Sequence, residues 1–440
     1  MRLLLAAPLL LWAGHAYTAP LTLVDSLALA YENDPSVPPS IALRETEREL
    51  GEQERAGLRP TVSAQGSYNY SYSDSKFAFG QSRDEYPAWS AGLEARQALF
   101  RLDWSARGER ADAQEALADA GMEQRRVNLY SRVAERYIGV LIAEDALRQA
   151  QAEADAVRES MQDTRKRYEV DLVPGTDLKE AQARDDLAQA QLLSAQQEVE
   201  SSRDVLAETV GRRDFDLPQM PDAVVFGPVV PAEVDAWIDA ATENNPALVI
   251  ARRDAQIAKT QVRSRRADAM PQVDLVASVS RNDSTEYVLG QRQDDASIGV
   301  ELNVPIYAGG YNDSRVREAE ANLRRAESAA QLLASETERE VRVLFRSLKT
   351  NYIQVRAYER ARESAALAQT ATKAGYDAGT RTITDVLDAQ SRVVQASRNL
   401  NQTRYDLLLN MLQLRQYTGQ IDETFFAAVD ALFTQTPAQP

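Results

Sequence analysis

Residues 376–391 read YDAGTRTITDVLDAQS, and residues 168–183, which lie 208 positions earlier, read YEVDLVPGTDLKEAQA. Both stretches begin with tyrosine and share identical residues at further positions that include Asp177/Asp385, Ala181/Ala389 and Gln182/Gln390. Two more pairs keep the same order along the chain at nearly the same spacing: GLEARQALF at 92–100 with GVELNVPIY at 299–307, and ENDP at 32–35 with ENNP at 243–246. Ordered matches at one long spacing indicate two tandem repeats.

The two repeats are predicted to share one plan. The first covers residues 20–213, the second covers 232–420, and a proline-rich linker at 214–231 joins them. Each repeat consists of a helix, two strands, a very long helix, a tip turn and a returning helix. The strands are predicted at about 61–72, 88–99, 272–281 and 297–307, and the tip turns at about 169–176 and 377–382.

The long helices are indicated by an absence of breakers and by a heptad-like pattern. No proline occurs between Pro87 and Pro174, or between Pro305 and Pro437, which permits helices far longer than the globular mean. In the second long helix, apolar residues step by alternating threes and fours, the spacing of a coiled-coil seam. These residues are Val316, Ala319, Leu323, Ala326, Ala330 and Leu333.

The chain begins with the pattern of a secretory signal peptide at residues 1–19. Arg2 gives a basic start, a short apolar run follows, and small residues allow cleavage after Ala16 or Ala19. The run is too short to span a bilayer as an anchor. Residues 421–440 form a C-terminal segment that ends in a polar tail. Export places the mature chain in the periplasm, outside the cell or in the outer membrane.

Composition excludes several classes of function. The chain has 66 acidic and 50 basic residues and a formal net charge of −16, so it lacks the clustered positive charge that a nucleic-acid binder needs. Cysteine is absent, and the one histidine, His15, lies in the signal peptide. Without these residues, neither a zinc site nor a Ser-His-Asp triad can be built, and there is no nucleotide-binding fingerprint. We therefore expect neither an enzyme nor a bound cofactor.

The four predicted strands alternate apolar and polar residues with period two. In the first, tyrosines and small apolar residues share one face and serines the other; in the fourth, Ile298, Val300 and Leu302 oppose Glu301 and Asn303. Alternation alone fits a sandwich covered by helix as well as a strand in lipid. Two details favour lipid: a length of about ten residues, which spans a membrane when tilted, and aromatic residues near the strand ends.

Strands in lipid must close into a barrel, because an open edge leaves backbone groups unpaired. Four strands cannot close alone, since known barrels begin at about eight. The protein is therefore predicted to oligomerise in outer-membrane lipid. The polar loops at 73–86 and 282–294 would then face outside, and the long helices would extend into the periplasm. A dry helical bundle is the alternative to a conduit.

Three features together resemble the TolC family of outer-membrane exit ducts: GTRTITDVLDAQ at 379–390, PIYAGG at 305–310 and the tandem order of the repeats. The resemblance covers nearly the whole mature chain. It implies an α+β membrane protein that is a homotrimer, with four strands per protomer in a twelve-stranded barrel continuous with a coiled-coil helical barrel. It also implies a passive, gated duct for efflux or type I secretion. The expected partners are a periplasmic adaptor protein and an inner-membrane transporter.

The resemblance also implies which residues restrict the periplasmic entrance. Asp385 and Asp388 match the family's acidic rings, and Tyr376 and Arg381 match residues that tether the inner coiled coil to the outer one. The partners implied for these tethers are Thr176 and Asp177. Asp385 and Asp388 are three positions apart and share a helix face, so a trimer would present six carboxylates around one axis. Such a cluster would attract multivalent cations, although no dedicated metal site is expected.

Glycines mark the two tip turns, Gly379 in the second and Gly175 in the first. Gly379 suits a left-handed turn, whereas the aligned position in the first repeat is Asp171. Aspartate adopts that conformation less readily than glycine. We therefore expect the two tips to differ in shape.

Two alternatives to an exit duct remain. A periplasmic adaptor, with its own coiled-coil hairpin, would not need lipid-facing strands. A nutrient porin would not need long periplasmic helices. The sequence leaves the cargo open between small molecules and a secreted protein.

Overall fold

The computed structural model describes residues 20–77, 80–221, 224–227, 230–284 and 292–433. The predicted signal peptide, the polar tail and most of the predicted loop at 282–294 lie outside the described residues. The chain divides into two compact units. A helical unit comprises Met1–Pro38, Arg126–Ala241 and Arg339–Pro440, and a sheet unit comprises Pro39–Arg125 and Thr242–Glu338. Each unit contains parts of both repeats, so the compact units cut across the sequence repeats.

The helices and strands alternate along the chain in two similar series. The helices, numbered in chain order, are α1 (Leu23–Asn33), α2 (Val37–Ala56), α3 (Trp104–Glu169), α4 (Gly175–Val210), α5 (Val234–Asn244), α6 (Pro246–Ala267), α7 (Tyr311–Asp377), α8 (Ile383–Tyr417) and α9 (Glu423–Phe433). The strands are β1 (Thr61–Phe77), β2 (Gly80–Phe100), β3 (Gln272–Ser284) and β4 (Arg292–Asn303). Among the described residues, no helix combines the length and apolar composition that crossing a membrane requires.

Each repeat begins with two helices rather than the single helix predicted. The break falls at the repeated ENDP and ENNP motifs, where Asp34 bonds the turn before α2 and Asn245 caps the start of α6. The Ser36 amide donates to Asp34 Oδ1 at 2.8 Å, and the Leu248 amide donates to Asn245 Oδ1 at 3.1 Å. Proline also fits the first turn of a helix, and Pro246 begins α6.

The sheet is antiparallel with the order β1-β2-β3-β4, and its register confirms the predicted alternation. Aligned across the strands, one face carries the apolar rows Val62–Ala95–Ala277–Ile298 and Ala64–Leu93–Val279–Ala296. The other face carries the polar row Ser63–Glu94–Ser278–Ser297. The apolar face is uncovered in the single chain, with Ile298 75% exposed. An exposed apolar surface of this extent marks a contact with lipid or protein.

The strands differ in length from the prediction. A loop was expected at 73–86, but its described residues, 73–77 and 80–86, continue the β1–β2 ladder. Within this extension Asp74 is the register partner of Arg83, and their side chains form an ion pair of 3.1 Å. This extension is polar and depends on backbone hydrogen bonds, so its sequence lacks the apolar alternation by which a strand is predicted. At its other end, β4 stops at Asn303 rather than at 307, two residues before Pro305, which has no amide to donate.

A charged cluster crosses the polar face of the sheet. The Arg96 guanidinium on β2 donates to Asp274 on β3 at 3.3 Å and to Glu301 on β4 at 3.0 Å. Arg101 also contacts Asp274 at 3.3 Å. These contacts connect three strands at the end of the sheet from which α3 departs.

The helical unit has its own apolar core, built by both repeats. The large side chains that are fully buried in this core include Leu23, Tyr137, Leu206, Trp237, Leu348, Leu400, Tyr405 and Phe426. Two buried tyrosine hydroxyls in this core have partners, since Tyr137 donates to the Leu21 carbonyl at 2.9 Å and Tyr405 donates to Asp145 at 2.6 Å. This core holds the long helices whose ends carry the predicted entrance residues.

Candidate functional site at the two helix-joining turns

Two turns join the long helices, and they have the same backbone hydrogen bonds. In the first turn (residues 170–174), the Asp171 amide donates to the Tyr168 carbonyl and the Leu172 amide to the Arg167 carbonyl, at 3.0 and 2.8 Å. In the second turn (residues 378–382), the corresponding bonds, both 2.9 Å, run from Gly379 to Tyr376 and from Thr380 to Gly375. Each pair is the Schellman arrangement that closes a helix C-terminus.

The expected difference in shape between the tips is wrong. Gly379 has φ of 72°, and Asp171 has φ of 54°, so both residues adopt the left-handed conformation. Asp171 is the one non-glycine residue with positive φ in the described part of the chain. Aspartate is among the few residues that enter this region at moderate cost, because its short polar side chain can bond locally. Gly175, predicted in the first tip turn, is instead the first residue of α4.

Tyr376 links α7 to α3, through a residue that the sequence did not predict. The Arg167 guanidinium lies over the tyrosine ring, 4.5 Å from its centroid, and forms ion pairs with Asp163 at 2.8 Å and Asp377 at 3.3 Å. Tyr376 is buried, and this burial raises the pKa of its hydroxyl. The hydroxyl lies beside Thr164 without a hydrogen bond of normal geometry. Tyr376 thus connects neighbouring helices within one chain.

The other predicted tether residues do not meet within one chain. Arg381 forms no ion pair with any described residue of its own chain, and its side chain packs over Gly375, where a Cβ atom would lie 2.9 Å from Arg381 Cγ. The Thr176 hydroxyl donates to Asp177 Oδ1 at 3.3 Å. Arg381 and Asp177 therefore do not form an ion pair with each other within the chain, and the charge of Arg381 instead contributes to lowering the pKa of Asp385.

Asp385 takes part in the cap at the start of α8, in which Thr382 is the N-cap residue. The Thr382 amide and hydroxyl each donate to Asp385 Oδ2 at 2.9 Å, and the Asp385 amide donates back to Thr382 Oγ1 at 3.2 Å. This reciprocal arrangement is a capping box. The hydrogen bonds from Thr382 lower the pKa of the Asp385 carboxyl. The Thr-x-x-Asp spacing was the sequence signal for this role.

Asp388 is ion-paired in its own chain. Arg184 on α4 approaches Asp388 Oδ1 at 2.8 Å and Glu180 at 3.6 Å. The Thr384 hydroxyl on α8 also donates to Glu180 at 3.4 Å. These contacts join α4 to α8, and sequence reasoning missed them. The alignment of the repeats did point to these residues, since Glu180 and Arg184 align with Asp388 and Arg392.

The described residues contain no group of three or more His, Asp or Glu side chains arranged to hold a metal ion. Asp385 and Asp388 therefore offer two carboxylates per chain, of which one is a helix cap and the other has an arginine partner. What these turns provide is a set of charged contacts between helices, arranged beside two structurally equivalent loops.

Comparison with known proteins identifies the chain's relatives. The family described as Outer membrane efflux protein matches twice, over residues 27–212 and 237–420, which confirms the tandem repeats. The alkaline protease secretion protein AprF of Pseudomonas aeruginosa is 31% identical over 449 residues, covering 100% of this chain and 93% of AprF. The outer membrane protein TolC of Vibrio cholerae is 31% identical over 406 residues, covering 91% of each chain.

Solved structures show the same fold. The outer membrane protein VceC of Vibrio cholerae superimposes with a TM-score of 0.78 at 19% identity, covering 90% of this chain and 96% of VceC. The outer-membrane channel OprN superimposes with a TM-score of 0.79 at 18% identity, covering 90% of each chain. These findings confirm the resemblance inferred from the second turn and the repeats. The chain therefore belongs to the outer membrane efflux protein family, the TolC family of outer-membrane channels.

Proposed function

We propose that three copies of this chain assemble into a passive duct that is gated at the two helix-joining turns. Its setting follows from the family: the chain is an outer-membrane exit duct for efflux and type I secretion, and its helical part lies in the periplasm. The observation that carries the assembly is the sheet. Its apolar face is exposed, its polar face bears charged and hydroxyl groups, and one chain contributes only four described strands.

The sheet order supports closure between subunits. β1 and β4 are the edges of the four-stranded sheet, and edges in lipid must be paired. Pairing β4 of each subunit with β1 of the next closes a barrel, and three subunits give twelve strands. Such a barrel turns the row from Val62 to Ile298 toward lipid and the row from Ser63 to Ser297 toward a wet interior. A periplasmic adaptor, the competing function, would leave that apolar face without a role.

Transport through this duct depends on partners. The sequence has no nucleotide-binding fingerprint, so the energy comes from an inner-membrane transporter, and a periplasmic adaptor joins the two. The name of AprF describes secretion of an alkaline protease, which favours a protein cargo for this chain. Small molecules are the other class of cargo.

The gate is proposed at the turns because exposed charged residues gather there. Arg381 of each subunit reaches Thr176 and Asp177 of its neighbour, while Tyr376 holds α7 against α3 within the subunit. Asp385 and Asp388 lie one turn apart beside these contacts. Each exposed charge pair contributes about 1 kcal/mol or less, so several together stabilise a closed entrance that an adaptor can open.

The test is deletion of the gene followed by complementation. We expect deletion to raise sensitivity to toxic compounds or to abolish secretion of a protein, and the wild-type gene to restore either phenotype. The protein should fractionate with outer membranes and migrate on SDS gels as a heat-sensitive oligomer.

A matched pair of variants, Ile298→Arg on the apolar face and Ser297→Arg on the polar face, tests the barrel. Only Ile298→Arg should prevent assembly, because a charged side chain on the lipid face costs about 2–4 kcal/mol in the bilayer. Equal assembly of both variants would contradict the proposal.

A further inference from the structure

The returning helices α4 and α8 carry the same charge pattern at equivalent positions. Glu180 and Arg184 lie four residues apart on α4, and Asp388 and Arg392 lie four residues apart on α8. Residues at this spacing share one helix face. Each returning helix therefore presents a carboxylate and, one turn later, an arginine.

Within one chain, the arginine of α4 forms an ion pair with the carboxylate of α8. Arg184 bridges from α4 to Asp388 on α8 at 2.8 Å while it remains 3.6 Å from Glu180 on its own helix. Arg392 differs, because it is exposed and forms no ion pair within 4 Å among the described residues of its own chain. Its charge acts on Asp385, about two helix turns away on α8, only by lowering the pKa of that carboxyl. The arginine at the equivalent position of the second repeat thus lacks the partner that Arg184 has.

The two arginines share a buried neighbour and the backbone of the preceding turn. Ala181 and Ala389, one turn before each arginine, are both buried, at 0% and 5% exposure. The two returning helices follow turns with identical hydrogen bonding. The same face of each returning helix therefore packs against the protein, and each arginine lies at the same place relative to that face.

From this equivalence we infer that Arg392 of one subunit pairs with Glu180 of the neighbouring subunit. The inference rests on the proposed closed trimer, in which the second repeat of each subunit meets the first repeat of the next. Such a head-to-tail contact repeats the contact between the two repeats inside a subunit. Inside a subunit, Arg184 of the first repeat pairs with Asp388 of the second. At the equivalent contact between subunits, the equivalent residues are Arg392 of one subunit and Glu180 of the next.

The resulting contacts close into a ring. Around the axis, arginine and carboxylate alternate: Arg184, Asp388, Arg392, then Glu180 of the neighbouring subunit, and so on through three subunits. The ring has equal numbers of positive and negative charges. Asp388 therefore contributes no net acidic ring at the entrance, and Asp385, which lies one turn nearer the second turn, remains as the acidic position.

Cysteine cross-linking tests this contact directly, because the chain contains no cysteine. The test variant combines Glu180→Cys with Arg392→Cys, and the matched control combines Arg184→Cys with Asp388→Cys. Outer membranes are treated with a short thiol-reactive bismaleimide and run on denaturing gels. We expect bands of two and three linked chains from the test variant, absent from either single-cysteine variant. The control should link within one chain and give only a monomer of altered mobility.

The outcomes separate this inference from the proposed function. An amine-reactive cross-linker applied to the wild-type protein first establishes whether three chains associate. If they do not, the trimer itself is wrong. If three chains associate but the Glu180→Cys/Arg392→Cys variant gives no linked chains, or links only within one chain, the inferred contact is wrong and the duct stands.

Charge exchange provides a second readout in folded protein. Arg392→Glu should lower the temperature at which the SDS-resistant oligomer dissociates, and adding Glu180→Arg should recover part of that loss. Arg398→Glu, which breaks a pair with Glu153 inside the chain, is the matched control and should not be rescued by Glu180→Arg. Equal effects of Glu180→Arg on both backgrounds would overturn the inference.

Discussion

The two helix-joining turns have the same backbone but different surfaces. Both close their helices with the same two hydrogen bonds and a left-handed residue. The first turn exposes apolar side chains, with Val170 63% and Leu172 72% exposed, whereas the equivalent positions of the second turn are Ala378 and Thr380. The duplicated chain has therefore kept the geometry of the turn and changed what the turn presents to its surroundings.

The same contrast extends to the residues that flank the turns. Tyr376 is buried under Arg167, whereas its equivalent, Tyr168, is 43% exposed. The position equivalent to Arg167 is Gly375. Likewise, α8 begins with a complete capping box, whereas α4 begins after Pro174 with no side-chain cap. Similar backbones are thus stabilised by different side-chain contacts, and substitutions at equivalent positions should have unequal effects.

The largest effect is expected where the second turn depends on a buried ring. Tyr376→Ala removes an aromatic side chain packed among Ile383, Val386 and Leu387, and should destabilise the turn by about 3 kcal/mol through the cavity left behind. Hydrogen exchange of peptides around residues 370–385 measures the loss. Tyr168→Ala is the matched control and should change exchange at the first turn much less. Similar losses at both turns would show that the contrast in burial has no energetic consequence.

A second substitution breaks the shared backbone. At Gly379 a Cβ atom would meet no other atom within 4 Å, so any cost arises from the left-handed conformation alone. Gly379→Val should destabilise the second turn by about 1–2 kcal/mol. Gly379→Asp, which copies the first turn, should cost clearly less. Hydrogen exchange at Thr380 reports both variants, and equal costs would mean that aspartate has no special tolerance here.

A third prediction concerns the cap that only α8 possesses. Thr382→Ala should loosen the start of α8 by about 1 kcal/mol, whereas Thr176→Ala, in the uncapped α4, should have little effect. The contribution of the Asp385 carboxylate in this cap to the stability of α8 also depends on pH. Because the pKa of Asp385 is lowered in the folded protein, its stabilisation is fully present above the ordinary value of 3.8 and is lost as the pH falls through the lowered pKa.

The pH dependence is measured as amide exchange at the start of α8 across the acidic range. Asp385→Asn should abolish this dependence while leaving that of α4 unchanged. A dependence that survives in Asp385→Asn would assign it to another carboxyl group.

These contrasts also show what the sequence can and cannot predict. The repeats, the alternating strand faces and the long helices were predictable, because each is written as a spacing along the chain. The polar extension of β1 and β2 was not, since strand pairing there depends on backbone bonds that any residue can make. The left-handed conformation of Asp171 was also missed, because the hydrogen bonds that impose it depend on where the helix ends rather than on residue type.

The contacts at the turns were the least predictable part. Family resemblance identifies Tyr376 and Asp388, but it does not identify their partners, Arg167 and Arg184. Both arginines reach across from another helix, and a single sequence does not specify which helix faces are adjacent. For Arg184 the repeat offset was informative, since it is equivalent to Arg392; for Arg167, whose equivalent is Gly375, that comparison offered nothing.

The smallest effect is expected from the ion pair between the returning helices. Arg184 and Asp388 are 34% and 48% exposed, and pairs this accessible to water contribute less than about 1 kcal/mol. Asp388→Asn should therefore change hydrogen exchange of α8 only slightly, and less at high salt, because ions screen exposed charges. Asp377→Asn, which leaves Arg167 paired with Asp163, is the control near the second turn. A loss as large as that of Tyr376→Ala would mean that charge, rather than ring burial, distinguishes the two turns.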